Sequence, residues 1–329
     1  MRRYHGISSS VLLIVLLTGA APAQALTIVD TFSGSVTSAA NAAQIEATIQ
    51  SASNAIASLY SNAFTATINF QLTSTGLGGS SQNLYAVSYA SYTQALKNDS
   101  SSHSGNTTLA TAVTNLSKGN DAGGKTPIAL TSSLVDALGL GNVSAGGTVY
   151  LNSSLMYFGT GQTPSGLYSG TAVIQHEIDE ILGGGGAGST LGTSLQGYYY
   201  GSLDLYRYSA SGTASYTTNS SSSAYYSING GATSLVAFNQ TGRGDYGDFY
   251  NTCLIQNYAG CPGHTPEAFA GSIESTMLQS IGYDLVGGTA FISAAPAPSS
   301  GEGLASLFFL TVVGAAAKIE SRRSRAARL

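Results

Sequence analysis

The spacing of hydrophobic positions changes along the chain and marks out the first predicted elements. Residues 41–60 are expected to form an amphipathic helix, because apolar side chains recur there at helical spacing: Ile45, Ile49, Ala52, Ile56 and Leu59. Apolar and polar positions alternate from Phe64 to Leu72, which predicts a strand with one buried face. The Gly- and Ser-rich stretch 73–83 is typical of a loop, and residues 148–151 predict a short strand.

Further periodic stretches follow, and two of them have clear end signals. Ser169 is a suitable N-cap, while Gly183 and Gly282 are suitable left-handed stops. The pattern predicts helices near 90–97, 107–117, 131–138, 169–182 and 272–281. Strands are predicted at 203–208 and 224–228, with Asn229-Gly230 as a hairpin turn. We therefore expect an α+β fold with a β-rich C-terminal half.

Both ends of the chain differ from this middle part. Residues 1–25 are typical of a signal peptide, with Arg2 and Arg3, an apolar run and the small-x-small sequence Ala23-Gln24-Ala25. This pattern predicts export to the periplasm, the cell surface or the extracellular medium.

The C-terminal end reads as a linker over 289–303 and a hydrophobic segment with a basic end over 304–329. This order resembles the PEP-CTERM type of bacterial sorting tail, although the Pro-Glu-Pro triplet is missing; a simple C-terminal anchor is the alternative. Either way, we expect the tail to engage the membrane and, for a sorting tail, the sorting machinery.

Residues 26–288 are predicted to form the folded body, and their charge excludes some functions. They carry five basic and 14 acidic side chains, a net charge of −9. A nucleic-acid-binding protein needs a basic face for phosphates, so we exclude that class. The whole chain is 43% hydrophobic, which is enough to build a core and excludes a charge-driven disordered protein.

The two cysteines, Cys253 and Cys261, flank a short loop. An oxidising compartment favours a disulfide between them, and two free thiols are the alternative. The pair lacks the C-x-x-C spacing that is typical of metal sites.

The strongest chemical signal lies on the helix predicted over 169–182. At about 100° per residue, His176 and Glu180 point the same way one turn apart, and Glu177 lies beside them. This convergence suits a metal ion, with Glu177 placed to act as a general base on water. The adjacent face is apolar and can be buried: Ile174, Ile178, Ile181 and Leu182. The alternative is an exposed helix whose acids face water.

His176-Glu177-x-x-Glu180-x-x-Gly183 resembles the HExxHxxG helix of zincin-type zinc metalloproteases. It is similar to a bacterial exported family of metalloproteases that often carry PEP-CTERM tails. Other similar stretches are Ile68-Asn69-Phe70, Ser91 to Leu96, Asp204 to Ser209, Tyr226 to Gly231 and Ile281 to Leu285. The resemblance implies a zincin-like metalloprotease domain over 26–288, with bound zinc and Glu177 as the catalytic base.

Two departures from that motif leave the metal site incomplete. Glu180 stands where the second histidine would be, and Gly186 where a third would be. Zinc accepts carboxylate oxygen as well as imidazole nitrogen, so a third ligand must come from elsewhere. We expect Asp204, whose alternative role is a structural carboxylate bonded to Arg207 or a turn amide. His264 is the rival ligand.

The remaining expectations concern the metal and the substrate. Zinc is the first candidate, and the carboxylates also suit Mn²⁺ or Fe²⁺. Tyr206 or Tyr208 would supply an O–H to the developing oxyanion, and Arg207 a charge. The strand at 148–151 would bind an extended protein or peptide substrate by strand addition. The run Gly183–Gly186 is either a mobile rim or a closely approached one.

The sequence therefore favours an exported metal-dependent endopeptidase. A non-catalytic surface or matrix protein on a zincin-like frame is one alternative. A β-rich glycan binder, suggested by the Tyr and Asn content, is another.

Overall fold

The structure, a computed structural model, describes residues 25–116, 127–191, 200–250 and 253–288. The predicted linker, the tail and the signal peptide except Ala25 lie outside these residues. Among the helices that are described, none combines the length and the apolar character needed to cross a membrane.

Helices and strands interleave along the described chain, which confirms the α+β class. The helices are α1 (Gly34–Thr37), α2 (Ala42–Ala57), α3 (Tyr89–Ser102), α4 (Thr107–Asn115), α5 (Ser132–Ala137), α6 (Gly170–Leu182) and α7 (Ile273–Ile281), together with a 3-10 helix at Leu203–Tyr206. The strands of the first half are β1 (Thr27–Phe32), β2 (Thr65–Leu72), β3 (Gly78–Gln82), β4 (Leu84–Val87), β5 (Ile128–Thr131), β6 (Gly146–Leu151), β7 (Met156–Tyr157) and β8 (Tyr168–Ser169). Those of the second half are β9 (Tyr200–Gly201), β10 (Arg207–Ala210), β11 (Thr213–Ala214), β12 (Tyr225–Tyr226) and β13 (Val236–Ala237).

The main sheet has the strand order β1–β2–β6–β3. Strands β1, β2 and β6 run parallel, with Phe70 opposite Val149. Strand β3 runs antiparallel to β6, with Ser80 opposite Val149 on its other side. The alternation predicted for β2 is confirmed, since its inward-facing side chains are fully buried: Ala66, Ile68 and Phe70.

Strand β3 corrects two expectations. The stretch 73–83 was predicted to be a loop, but Gly78–Gln82 pairs with β6 along its whole length. This pairing, and packing against α6, outweighs the low strand propensity of glycine. The predicted strand 148–151 lies within β6, which is bonded on both sides to β2 and β3. Strand β6 therefore has no free edge at which a substrate strand could pair. On this side of the sheet the edge strand is β3.

Helix α6 lies in the core between the sheet and α2. It packs against β3 and β6 on one side and against α2 on another. Its apolar face is buried as predicted, and the facing residues of α2 are fully buried too: Ile45, Ile49, Ala52 and Ile56. This packing holds the motif-bearing helix rigidly against the edge strand of the sheet.

The C-terminal half is less regular than predicted. Four short antiparallel strands form a second sheet with the order β11–β10–β12–β13. The predicted strand 203–208 begins instead as the 3-10 helix. All four residues of that helix are buried, so the alternation that marks a half-buried strand is missing there. The predicted strand 224–228 shortens to β12, and Asn229-Gly230 lies in a longer connection to β13.

The packing of α2 on α6 leads to a first prediction. Ile49→Ala should lower the free energy of unfolding by about 2–5 kcal/mol, because it removes a fully buried side chain and leaves a cavity. Gln50→Ala, a control on the exposed face of α2, should change stability by less than about 0.5 kcal/mol. Urea denaturation measures both values. Equal losses would contradict this orientation of α2.

Candidate functional site

Helix α6 carries the motif, and both of its ends are held in place. The Ser169 side chain accepts the N–H of Ala172 at 3.2 Å, as predicted for the N-cap. Gly183 ends the helix with a φ of 110°. A Cβ there would also lie 2.9 Å from the Cβ of Leu134, so glycine is required on two counts. These ends fix the register in which the motif faces its neighbours.

His176 and Glu180 come together as their spacing predicts, and a third residue joins them. The Nε2 atom of His176 lies 3.6 Å from Oε1 of Glu180 and 3.9 Å from Oδ1 of Asp248. One donor atom from each of the three residues lies within 4.8 Å of the others. One imidazole nitrogen and two carboxylate oxygens form a donor set that divalent metals accept. The chain therefore assembles a candidate metal centre.

Asp204, the residue expected to complete this site, is not part of the group. Its Oδ2 accepts the N–H of Gly201 at 2.9 Å, in the turn that leads into the 3-10 helix. Burial raises the pKa of Asp204, and the charge of Arg207 opposes that shift. The structure thus gives Asp204 the alternative role of a structural carboxylate and gives the third position to Asp248.

Asp248 reaches α6 because two glycine-containing segments pack backbone against backbone. A Cβ on Gly247 would collide with the backbone of Gly186. The run Gly183–Gly186 is therefore a closely approached rim, one of the two roles considered for it. The glycine run was the one feature of the sequence that indicated close backbone packing at this place. The spacing did not point to Asp248, which lies in an irregular segment after β13.

The imidazole of His176 is oriented by the loop that the disulfide closes. Its Nδ1 lies 2.9 Å from the carbonyl oxygen of Ile255. A carbonyl only accepts, so Nδ1 carries a hydrogen, and Nε2 is the ring nitrogen that faces Glu180 and Asp248. A backbone carbonyl on the far ring nitrogen is the usual orienting partner of a metal-binding histidine.

Negative charge surrounds this imidazole. Burial lowers the pKa of His176, but its contact with Glu180 and the charges of Asp248 and Glu177 outweigh burial, so the net shift is well upward. Burial raises the pKa of Asp248, and the charge of His176 opposes that shift. The pocket therefore favours added positive charge, which a divalent cation can supply.

Glu177 lies beside the group, against the edge strand β3. Its side chain is buried, and a Cβ built on Gly78 would lie 2.5 Å from its Oε1. The missing side chain at Gly78 thus makes room for this carboxylate. Glu177 acts on His176 through its charge but is not one of the three potential ligands.

The two tyrosines expected to face a substrate lie elsewhere. The hydroxyl of Tyr206 donates to the carbonyl of Ser280 on α7, and its ring meets Tyr226 edge to face. Tyr208 is also buried and packs against Gly231. Burial raises the pKa of Tyr208 to about 12. Both residues serve the packing of the C-terminal sheet, and this corrects their expected role.

Cys253 and Cys261 form a disulfide, with their Cα atoms 5.3 Å apart. His264, the rival ligand, is exposed and groups with these two cysteines rather than with His176. Their sulfurs are committed to each other. This group is therefore a weaker metal candidate than the one on α6.

A third group brings together Asp99, His103 and Asp284. The Nδ1 of His103 lies 2.8 Å from a carboxylate oxygen of each aspartate, and the His103 side chain is 52% exposed. Asn106 donates to Asp284 as well, at 2.9 Å. These close contacts join the turn between α3 and α4 to the segment after α7, and we assign them a structural role.

Comparison of the chain with protein-family models, with curated proteins and with solved structures finds no match. The geometry described above is therefore the basis for a functional conclusion.

The choice between Asp248 and Asp204 can be tested by metal titration. Asp248→Asn should weaken Zn²⁺ binding on the order of tenfold or more, because an anionic donor is lost. Asp204→Asn should leave the affinity within about twofold, since it changes the hydrogen bond to Gly201 and the charge near Arg207 but removes none of the three potential ligands. Isothermal titration calorimetry on chelator-treated protein measures both. A large loss for Asp204→Asn with none for Asp248→Asn would return the third position to Asp204.

Proposed function

We propose that this chain is a metal-dependent peptidase with a zincin-like active site, in which His176, Glu180 and Asp248 hold the metal and Glu177 is the general base. One observation carries the proposal. Three potential ligands converge within 4.8 Å, and a further, non-ligand carboxylate, Glu177, is buried on the same helix as two of them. Metal-assisted hydrolysis needs this combination of ligands and base.

The donor set fits a divalent cation. Two carboxylates neutralise its charge, and the imidazole presents a lone pair because Nδ1 is occupied by Ile255. Zinc accepts such nitrogen and oxygen donors, and Mn²⁺ or Fe²⁺ suits the two carboxylates equally well. When bound, the cation would polarise water and the substrate carbonyl.

The side chains of this site divide the remaining work. The Glu177 carboxylate accepts a proton from the attacking water and passes it to the departing amine. The edge strand β3 lies against α6 and is the last strand in the order of the main sheet. An extended peptide would pair with this edge and so bring its scissile bond to Glu177. This role replaces the one expected for 148–151.

The setting proposed for this activity is outside the cytoplasm. The signal-like N-terminus predicts export, and the disulfide between Cys253 and Cys261 suits an oxidising compartment. The substrate would then be an exported protein or peptide, while the C-terminal tail would engage the membrane and sorting machinery.

Glu177→Gln tests the proposed base. The variant should keep its metal affinity within about threefold, because Glu177 is not a ligand, and should lose peptidase activity by a factor on the order of 100 or more. The assay is cleavage of an unstructured protein such as casein by metal-loaded protein, beside calorimetric metal titration. Glu267→Gln, which changes an exposed acid, should leave both unchanged.

Full activity in Glu177→Gln would refute the assigned base. Tight metal binding without cleavage of any substrate by the unaltered protein would favour the alternative of a non-catalytic zincin-like scaffold.

Gly78→Ala tests the pocket of the same base without removing it. The new Cβ would lie too close to Glu177 Oε1, so the carboxylate must shift and activity should fall by about tenfold or more. Metal affinity should change little. Gly34→Ala is a matched control, because a Cβ at Gly34 meets nothing within 4 Å. Equal activity in both variants would contradict the placement of Glu177.

A further inference from the structure

The amide of Gln256 lies between two of the potential metal ligands. Its Nε2 donates to Asp248 Oδ1 at 2.8 Å and lies 3.2 Å from His176 Nε2. In the neutral imidazole, which is the form that binds a metal, Nε2 is an acceptor because Nδ1 donates to Ile255. The two amide hydrogens therefore point at the same lone pairs that a cation would use. The Gln256 side chain is fully buried.

A cation and this amide nitrogen cannot share the space as it stands. Metal bonds to these donors are about 2.0–2.2 Å long. A cation bound to both His176 Nε2 and Asp248 Oδ1, which are 3.9 Å apart, must lie close to the line that joins them. Because the Gln256 amide nitrogen lies 2.8 and 3.2 Å from the two ends of that line, it is within bonding distance of the cation. A positive charge repels N–H groups there and attracts a carbonyl oxygen.

The other end of the amide can take that place. Gln256 Oε1 is buried and has no hydrogen-bond partner among the described residues. A half-turn about the Cγ–Cδ bond exchanges Oε1 and Nε2 without moving the backbone. The exchange gives up the hydrogen bond from Nε2 to Asp248, and a cation bound by both Gln256 Oε1 and Asp248 would replace that contact.

We propose that Gln256 is a further metal ligand, which binds the cation through Oε1 together with His176, Glu180 and Asp248. The inference rests on the metal centre of the proposed function and adds a neutral oxygen to it. Four protein ligands fill a tetrahedron, so water would need a fifth position. The centre would therefore favour five- or six-coordinate ions, and Mn²⁺ accepts such oxygen-rich sets.

Two substitutions at position 256 separate a ligand from a mere neighbour. Gln256→Leu keeps the volume and removes both amide atoms, whereas Gln256→Glu keeps an oxygen donor and adds charge. Dissociation constants for Mn²⁺ and Zn²⁺ would be measured at pH 8 by competition with a chelating dye. Gln240→Leu, a half-buried amide that bonds Ser222, is the matched control. Circular dichroism verifies that each variant is folded.

We expect Gln256→Leu to weaken Mn²⁺ binding about tenfold or more, and Gln256→Glu to bind at least as tightly as the unaltered protein. If Gln256 instead only donates to Asp248, neither variant can supply that hydrogen, and Gln256→Glu binds as weakly as Gln256→Leu. If the amide only competes with the cation, Gln256→Leu binds more tightly. Either of these results overturns the proposal while leaving the metal centre intact. Failure of the unaltered protein to bind Mn²⁺ or Zn²⁺ overturns the metal centre itself.

Discussion

The burial of three carboxylates around one imidazole is the constraint on which the rest of the site depends. Glu177, Glu180 and Asp248 are each at most 5% exposed, and all of them act on His176. An uncompensated buried carboxylate costs several kcal/mol, and one protonated imidazole cannot neutralise three of them. A divalent cation bound by two of the carboxylates, as we propose, would remove most of this cost and would leave Glu177 to act as the base.

The surrounding elements hold these carboxylates by their other atoms. From the edge strand β3, Ser80 donates to Oε2 of Glu180, and Gln82 donates to the backbone carbonyl of Glu180 at 3.0 Å. The same strand leaves space for Glu177 at Gly78. One short strand therefore contacts both acids of the motif. Outer contacts of this kind fix the direction in which a ligand points.

The sequence predicted local features well and distant contacts poorly. Helix α6, its caps, and the convergence of His176 with Glu180 follow from helical periodicity, which acts over a few residues. Asp248 could not be found this way, because no periodicity or motif links an irregular segment to a helix about 70 residues earlier. Asp204 was expected beside His176 and Glu180 and is not found there, for the same reason. Asp204 lies in one of the stretches that resemble the metalloprotease family. That resemblance does not predict its hydrogen bond with the N–H of Gly201. The strand β3 was missed because its pairing with β6 decides its conformation against local propensity.

Backbone hydrogen bonds hold the irregular segment of the C-terminal half that carries Asp248. Phe249, the residue after Asp248, donates its N–H to the carbonyl of Gln256 at 2.8 Å and accepts the N–H of Tyr258 at 3.1 Å. Asp248 and Gln256 are thus held side by side by the backbone, and Ile255, one residue earlier, orients His176. The disulfide between Cys253 and Cys261 closes the same loop. One segment of the chain therefore supplies Asp248, its neighbour Gln256 and the carbonyl that orients His176, so the three-residue group depends on the packing of this segment against α6.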